Sequence, residues 1–130
     1  MAGLSTGPLR WAIVVVALAP VEGHEQSGTR RALVVSYEAF HRSRLMTICP
    51  VTAARSDARY PGDVPLPVGM AGQTKAGVII CSQVRTISMR RIRGAPLGFL
   101  ADPPLRRQVR RALAHHLGLD IPAVVDLTQR

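Results

Sequence analysis

Aromatic residues are scarce in this chain, which sets the composition of its core. Only 4% of the 130 residues are aromatic, whereas 47% are hydrophobic. That share is enough to bury an ordinary core in one domain. Valine, leucine, isoleucine and alanine must therefore fill most of this core. The sequence also lacks an internal repeat.

Lysine is nearly absent, although the chain is strongly basic. Lys75 is the only lysine among 17 lysine and arginine residues, against 8 acidic residues, and the net charge is +9. So large an excess favours an anionic partner, which is a nucleic acid, an anionic membrane or an acidic protein. Arginine binds phosphate through two hydrogen bonds and stacks on bases, so its use here favours RNA or DNA. A coding bias toward arginine would produce the same composition.

Metal-binding motifs are missing. Cys49 and Cys81 are far apart in apolar segments and lack zinc-binding spacing, and no His-Glu-x-x-His pattern occurs. We interpret the two cysteines as small core residues in a reducing cytoplasm, with a disulfide as the alternative. We interpret His41, His115 and His116 as structural or exposed. No metal or other cofactor is expected.

The apolar run at residues 11–19 is too short to cross a membrane, which takes about 20 residues. It resembles the hydrophobic segment of a signal peptide, but Pro20 follows it and Arg10 alone precedes it as a basic residue. Its β-branched composition predicts a first buried strand over residues 12–18. A secreted or membrane-attached basic protein is the alternative to a cytoplasmic one.

Short apolar segments separated by turn residues predict a mainly β domain, either a compact barrel or a sandwich. Residues 1–9 and 121–130 are expected to form tails, with the first of these disordered. Prolines in the fourth predicted strand place it at a sheet edge. After the first strand, further strands are expected at residues 32–36, 45–51, 64–68, 77–81 and 83–88.

A C-terminal helix is the clearest single element. Asp102 is a suitable N-cap, Pro103 suits the first helical position and Gly118 suits the end. The spacing of its apolar residues predicts that one face of this helix is buried, and the opposite face is basic. This basic face contacts RNA, contacts an acidic segment or is simply solvated. Its predicted buried face is Leu105, Val109, Ala112, Leu113 and Leu117, and its basic face is Arg106, Arg107, Arg110 and Arg111.

Three polar segments could carry chemistry. Residues 23–31 place an imidazole, a carboxylate, an amide, a hydroxyl and two guanidinium groups in one loop. RNA is cleaved without a metal when its 2′-hydroxyl attacks the adjacent phosphate, which needs a base, an acid and cations around the phosphorane.

Thr52 ends an apolar strand, where its hydroxyl either donates to a phosphate or makes a local turn bond. Residues 83–86 hold Gln83 and Arg85, which can contact bases and phosphates or merely decorate a surface strand.

These segments resemble the motifs of MazF/PemK-type toxins. The similarity covers roughly residues 10–120, which we take as the toxin domain. The first motif is Gly-His-Glu-Gln-Ser-Gly-Thr-Arg-Arg-Ala-Leu-Val-Val-Ser at residues 23–36. The second is Pro-Val-Thr-Ala at residues 50–53, and the third is Gln-Val-Arg-Thr-Ile at residues 83–87.

The resemblance implies a small SH3-like β-barrel with a C-terminal helix, forming a homodimer with its RNA groove between the subunits. It implies sequence-specific cleavage of single-stranded RNA, leaving a 2′,3′-cyclic phosphate and a 5′-hydroxyl. A cognate antitoxin would lay an acidic tail over the same groove. The implied catalytic residues are Arg30, Thr52 and Glu25, and the implied RNA-binding residues are His24, Gln26, Gln83, Arg85 and Thr86. Arg30 would stabilise charge at the phosphate, and His24 is a secondary acid–base candidate.

The chain departs from the family pattern at several positions. Arg31 follows Arg30 where the family usually has proline, and Trp11-Ala12 replaces a glycine–acidic pair. Ser82 and Ser88 stand where acidic residues are frequent. These changes leave the catalytic pair intact but bear on cleavage specificity. Two alternatives stay open, a toxin of the same fold that poisons DNA gyrase and a basic RNA-binding protein.

Overall fold

The computed structural model describes residues 7–20, 22–25 and 28–119. These residues form seven strands and one α-helix, so the predicted mainly β fold with a C-terminal helix is confirmed. The strands are β1 (Ala12–Ala17), β2 (Thr29–Val34), β3 (Leu45–Thr52), β4 (Asp63–Leu66), β5 (Gly77–Ile80), β6 (Arg85–Ser88) and β7 (Gly98–Phe99), and the helix is α1 (Pro103–Leu117). Short 3₁₀ turns lie at Glu38–Ser43, Met70–Gly72, Cys81–Gln83 and Met89–Arg91.

The strands build one curled antiparallel sheet in the order β4-β5-β3-β2-β1-β7. Strand β3 is central in the sheet. Along one edge it pairs with β2, and along the other edge it pairs with both β6 and β5. Its first half pairs with β6, and its last two residues pair with β5. The proline-containing β4 lies at an edge of the sheet, as predicted, since its unpaired side needs no backbone donor.

Alternation along the strands divides the core into two clusters on opposite faces of the sheet. On the helix side, Ile13, Leu33 and Val51 pack against Leu105 and Val109 of α1. On the other face, which we call the far side, the core is formed by strand residues, the Met89–Arg91 turn and neighbouring segments. Its members are Leu9, Ala12, Val14, Val16, Leu18, Ala32, Val34, Met46, Ile48, Ile87, Met89 and Ile92.

The caps of α1 are confirmed. The Asp102 carboxylate accepts a hydrogen bond from the Leu105 amide at 3.2 Å, and Gly118 adopts the left-handed conformation with φ of 66°. The predicted buried face is wrong at Leu117, which is 57% exposed. Leu117 lies in the last turn, and the helical period does not reveal where a helix leaves the core.

Two other features bear on the sequence predictions. Strand β7 was not predicted, because two residues are too few to show a strand period. Cys49 and Cys81 are both buried and both free, as predicted.

Within the described residues, no helix is long and apolar enough to span a bilayer.

Candidate active site

Strand register directs Arg30 and Thr52 to the same face of the sheet. Ala32 of β2 lies opposite Pro50 of β3. Continued two residues further, this register sets Arg30 opposite Thr52, and opposed residues in antiparallel strands project from the same face. Val16, which lies opposite Arg30 on β1, belongs to the far-side core, so the pair points to the far side of the sheet.

The Thr52 side chain is buried, with 5% of the residue exposed. Its hydroxyl oxygen accepts a hydrogen bond from the Ala54 amide at 3.1 Å. This bond uses an oxygen lone pair and fixes the side chain, so the hydroxyl proton can still be donated. Arg30 is half-buried.

The loop before β2 is closed by backbone and side-chain contacts. The Leu18 amide donates to the Gly28 carbonyl at 3.0 Å, and Gly28 has a positive φ of 76° that glycine tolerates without strain. Glu25 accepts a hydrogen bond from the Glu22 amide at 2.9 Å through its carboxylate. Glu25 therefore shapes the loop on which His24 is presented. Gln26 lies outside the described residues.

A cleft of about 410 Å³ opens between this loop and the start of β6. Gln83 closes one end, because its side-chain amide donates to the His24 carbonyl at 3.3 Å. Pro50, in the cleft wall, lies on the same face of β3 as Thr52, two residues away. The described lining residues are His24, Glu25, Pro50, Ser82, Gln83, Val84 and Arg85. Arg30 and Thr52 are not among them and flank the cleft on the same face of the sheet.

Among the described cleft residues, Arg85 has a buried side-chain nitrogen that lacks a hydrogen bond. Its Nη1 is buried and makes no hydrogen bond with a described residue. The nearest carboxylate oxygen, Glu25 Oε2, is 3.9 Å away, which is an ion pair but too long for a hydrogen bond. A buried donor without an acceptor is costly, so this nitrogen is suited to bind an anionic ligand.

Thr86 lies apart from the other predicted residues. Strand alternation turns it to the face opposite Arg85, and its hydroxyl is 2.7 Å from that of Thr47. The fold thus collects His24, Glu25, Gln83 and Arg85 around one cleft, places Arg30 and Thr52 beside it, and directs Thr86 elsewhere.

Arg31, which stands where the family usually has proline, makes hydrogen bonds that hold the fold together. Its guanidinium donates to the Gln73 side chain at 2.8 Å and to the Lys75 and Ala76 carbonyls at 2.9 and 3.3 Å. Partial burial lowers the pKa of Arg31, which remains a cation. Gly77 leaves space for this contact, because a Cβ there would lie 2.7 Å from Arg31 Nη2 and from the Thr52 carbonyl. Arg31 thus ties the segment before β5 to the strand that carries Arg30.

Besides Pro50, sequence reasoning did not assign three further residues of this region to the site. Ser82 and Val84 line the cleft, and their position beside Gln83 could have suggested this. Arg91 donates to the Ala17 and Ala19 carbonyls at 3.1 and 2.6 Å and so anchors the start of the loop. No pattern in the sequence relates Arg91 to residues more than 70 positions away.

Replacing Arg31 with alanine is expected to lower the free energy of unfolding by about 2 kcal/mol, because hydrogen bonds from a charged group are lost and the Gln73 acceptor is left unpaired. Denaturant unfolding followed by circular dichroism measures this. Arg42→Ala, at an exposed arginine, is the matched control and should change stability by no more than about 0.5 kcal/mol. Equal effects of the two substitutions would contradict the structural role of Arg31.

Comparison with known proteins is consistent with this geometry. Residues 9–117 match the family described as PemK-like, MazF-like toxin of type II toxin–antitoxin system. The chain is 43% identical to the endoribonuclease PemK of Escherichia coli over 82 residues, which are 62% of this chain and 61% of that protein. It is 32% identical to the endoribonuclease toxin ChpB of Escherichia coli strain K12 over 103 residues, covering 78% of this chain and 88% of that protein.

A solved structure shows the same architecture. The crystal structure of MazF from Deinococcus radiodurans superposes with a TM-score of 0.74 and 32% identity, covering 88% of this chain and 100% of that one. The family match spans all seven strands and the helix, so the resemblance found in the sequence is confirmed. This chain belongs to the PemK-like, MazF-like toxin family of type II toxin–antitoxin systems.

Proposed function

We propose that this chain is an endoribonuclease toxin that cleaves single-stranded messenger RNA in a sequence-specific manner without a metal ion. The proposal is carried by Arg30 and Thr52 projecting from the same face of β2 and β3 as Pro50, which lines the cleft. Two similar proteins, PemK and ChpB, are endoribonucleases, which supports the reaction class.

The reaction is an internal transesterification. The ribose 2′-oxygen attacks the adjacent phosphorus and its proton goes to a base. The bond from phosphorus to the 5′-oxygen then breaks, and an acid protonates the departing 5′-oxygen. The products are a 2′,3′-cyclic phosphate and a 5′-hydroxyl. Arg30 stabilises the charge on the phosphorane, and Thr52 donates a hydrogen bond to a phosphate oxygen. Because its guanidinium stays protonated, Arg30 acts electrostatically and not as an acid.

Glu25 and His24 are the candidates for proton transfer. Both are exposed on the loop above the cleft, within reach of a strand bound there. A carboxylate and an imidazole are the side chains that most often accept and donate protons near neutral pH. Glu25 also shapes the loop, so its removal would affect both geometry and chemistry.

RNA recognition is assigned to the cleft. The buried Arg85 Nη1 supplies a donor for a phosphate or a base carbonyl, and Gln83 and His24 supply polar groups beside it. Specific recognition of RNA usually relies on unpaired bases, which expose their hydrogen-bonding edges. Gln26 and Thr86 stay proposed RNA contacts on the strength of the motif resemblance alone.

We further propose a homodimer that acts in the cytoplasm and is neutralised by a cognate antitoxin with an acidic segment. Membership of a type II toxin–antitoxin family supports the antitoxin. The net charge of +9 favours association with both RNA and an acidic protein.

The test is incubation of the purified protein with a long single-stranded RNA in EDTA, followed by mapping of the ends. We expect cuts at a recurring short sequence, with 5′-hydroxyl ends that accept phosphate from a kinase without prior dephosphorylation. The same cuts should appear with magnesium. Cleavage that needs a metal, or inhibition of a topoisomerase without RNA cleavage, would overturn the proposal.

A further inference from the structure

Trp11 occupies a backbone position that favours glycine. Its φ is +69°, in the left-handed region, where a bulky side chain is strained. Hydrogen bonds hold the backbone there, from the Trp11 amide to the Val34 carbonyl and from the Leu100 amide to the Trp11 carbonyl, both at 2.8 Å. Glu38 fixes the preceding residues, because one carboxylate oxygen accepts from the Leu9 and Arg10 amides at 2.9 Å each.

Three guanidinium groups surround the Trp11 ring. The ring centroid is 5.6 Å from Arg10, 5.1 Å from Arg106 and 5.2 Å from Arg110, within the range of cation–π contacts. The residue is only 5% exposed. Attraction to the ring therefore offsets part of the repulsion among three like charges.

These charges have no acidic side-chain partner among the described residues. No ion pair within residues 7–20, 22–25 and 28–119 involves them. Arg107 and Arg111 extend the charge outward along the helix, and both are exposed. We call Arg10, Arg106, Arg107, Arg110 and Arg111 the helix arginine surface. A cluster of like charges without counter-charges creates a positive local potential that stabilises a bound anion, so the surface is suited to a polyanionic partner.

The helix arginine surface and the candidate active site lie on opposite faces of the sheet. Leu105 and Val109 pack α1 onto the helix side, whereas the far-side core contains Val16, opposite Arg30, and Ile48, opposite Arg85. A partner on the helix arginine surface is therefore separated by the sheet from RNA held beside Arg30 and Thr52.

We propose that the helix arginine surface is a docking site for an acidic peptide segment, separate from the RNA cleft. Arg106 and Arg110 form one row along the helix and Arg107 and Arg111 form a second, and within each row the two arginines are separated by about 6 Å along the helix axis. Alternate side chains of an extended peptide are about 6.6 Å apart. Carboxylates at every second position of such a peptide therefore match the spacing of each row. Arginine binds carboxylates through two parallel hydrogen bonds. This inference goes beyond the proposed nuclease and does not depend on it.

Single-stranded RNA fits this surface less well. Proteins that bind single strands provide aromatic rings on which bases stack. Here Trp11 is buried beneath the arginines, and the helix residues 103–117 include no phenylalanine, tyrosine or tryptophan. The surface supplies charge and bidentate donors without an aromatic stacking platform, which favours carboxylates.

The test uses Trp11, the sole tryptophan of the chain, as its own probe. A short all-glutamate peptide is titrated into the full-length protein at low salt while tryptophan emission is recorded. We expect saturable binding that changes the emission, because the guanidinium groups over the ring move toward the carboxylates. Arg107→Gln/Arg110→Gln should weaken this binding about tenfold. The charge-matched control Arg42→Gln/Lys75→Gln should weaken it less than about twofold, since both residues lie outside the surface.

A competition experiment separates the partner classes. A 2′-O-methyl RNA oligomer, which lacks the nucleophilic hydroxyl, is added to the protein–peptide complex. The proposal expects the peptide to stay bound and the tryptophan emission to stay unchanged. Displacement by the oligomer, equal losses in both double variants, or no binding of the peptide would each overturn it.

Discussion

Arg30→Ala is expected to lower the rate of RNA cleavage by about 10²–10³-fold, because in the proposed mechanism Arg30 supplies the positive charge that stabilises the phosphorane. Removal of one preorganised donor from a site that stabilises a transition-state anion commonly costs this much. Single-turnover cleavage of an RNA oligomer that contains the mapped site measures the effect. Arg30→Lys should recover part of the rate, since it restores the charge but not the bidentate geometry.

Thr52→Val is the companion substitution. It keeps the shape of the side chain but removes the hydroxyl, so a loss of about tenfold is expected for one neutral hydrogen bond. Arg42→Ala, an exposed arginine away from the cleft, should leave the rate unchanged. If Arg30→Ala retains full activity while folded, the catalytic assignment of Arg30 fails.

Asp63→Asn is expected to lower the free energy of unfolding at pH 7 by about 3 kcal/mol, because it breaks a buried ion pair. The Asp63 side chain is 1% exposed and pairs with Arg55. It also accepts from the Arg59 and Tyr60 amides at 2.9 and 3.1 Å, which closes the turn before β4. Asp57→Asn, at a side chain that is 66% exposed, is the matched control and should cost no more than about 0.5 kcal/mol.

The effect of Asp63→Asn should depend on pH. Burial alone would raise the pKa of Asp63, but the hydrogen bonds from Arg55, Arg59 and Tyr60 and the charge of Arg55 outweigh it, so the pKa is lowered in the folded protein. A lowered pKa stabilises the fold above the ordinary carboxyl pKa of about 3.9, and this contribution is lost as the pH falls through the lower folded value. The difference between wild type and variant in denaturant unfolding should therefore shrink below about pH 4. A difference that stays constant down to pH 3 would contradict this account.

Local signals explain which elements could be predicted. The strand at residues 12–17 and the helix at residues 103–117 follow from patterns confined to the segment, which are a β-branched run and a capped amphipathic period. The exposed Leu117 and the two-residue β7 were missed because burial and short pairings depend on neighbours that the local pattern does not specify.

Predicting the candidate site required more than local sequence pattern. The motif resemblance singled out Arg30 and Thr52, but their placement on one face of the sheet depends on β2 and β3 pairing with one particular register. A slip of one residue would turn one of them to the opposite face. Arg31 illustrates the same limit, because its role appears only when residues 73–76, more than 40 positions away, are brought beside it.

By itself, the sequence determined the mainly β composition, the capped helix, the basic charge and the family, since these properties reside in residue types and short spacings. Tertiary structure alone decided that a sheet separates the arginines around Trp11 from the pair beside the cleft. It also decided that the buried Nη1 of Arg85 makes no hydrogen bond within the described residues. Those outcomes depend on strand register and on packing between distant segments, which residue order does not reveal until the chain is folded.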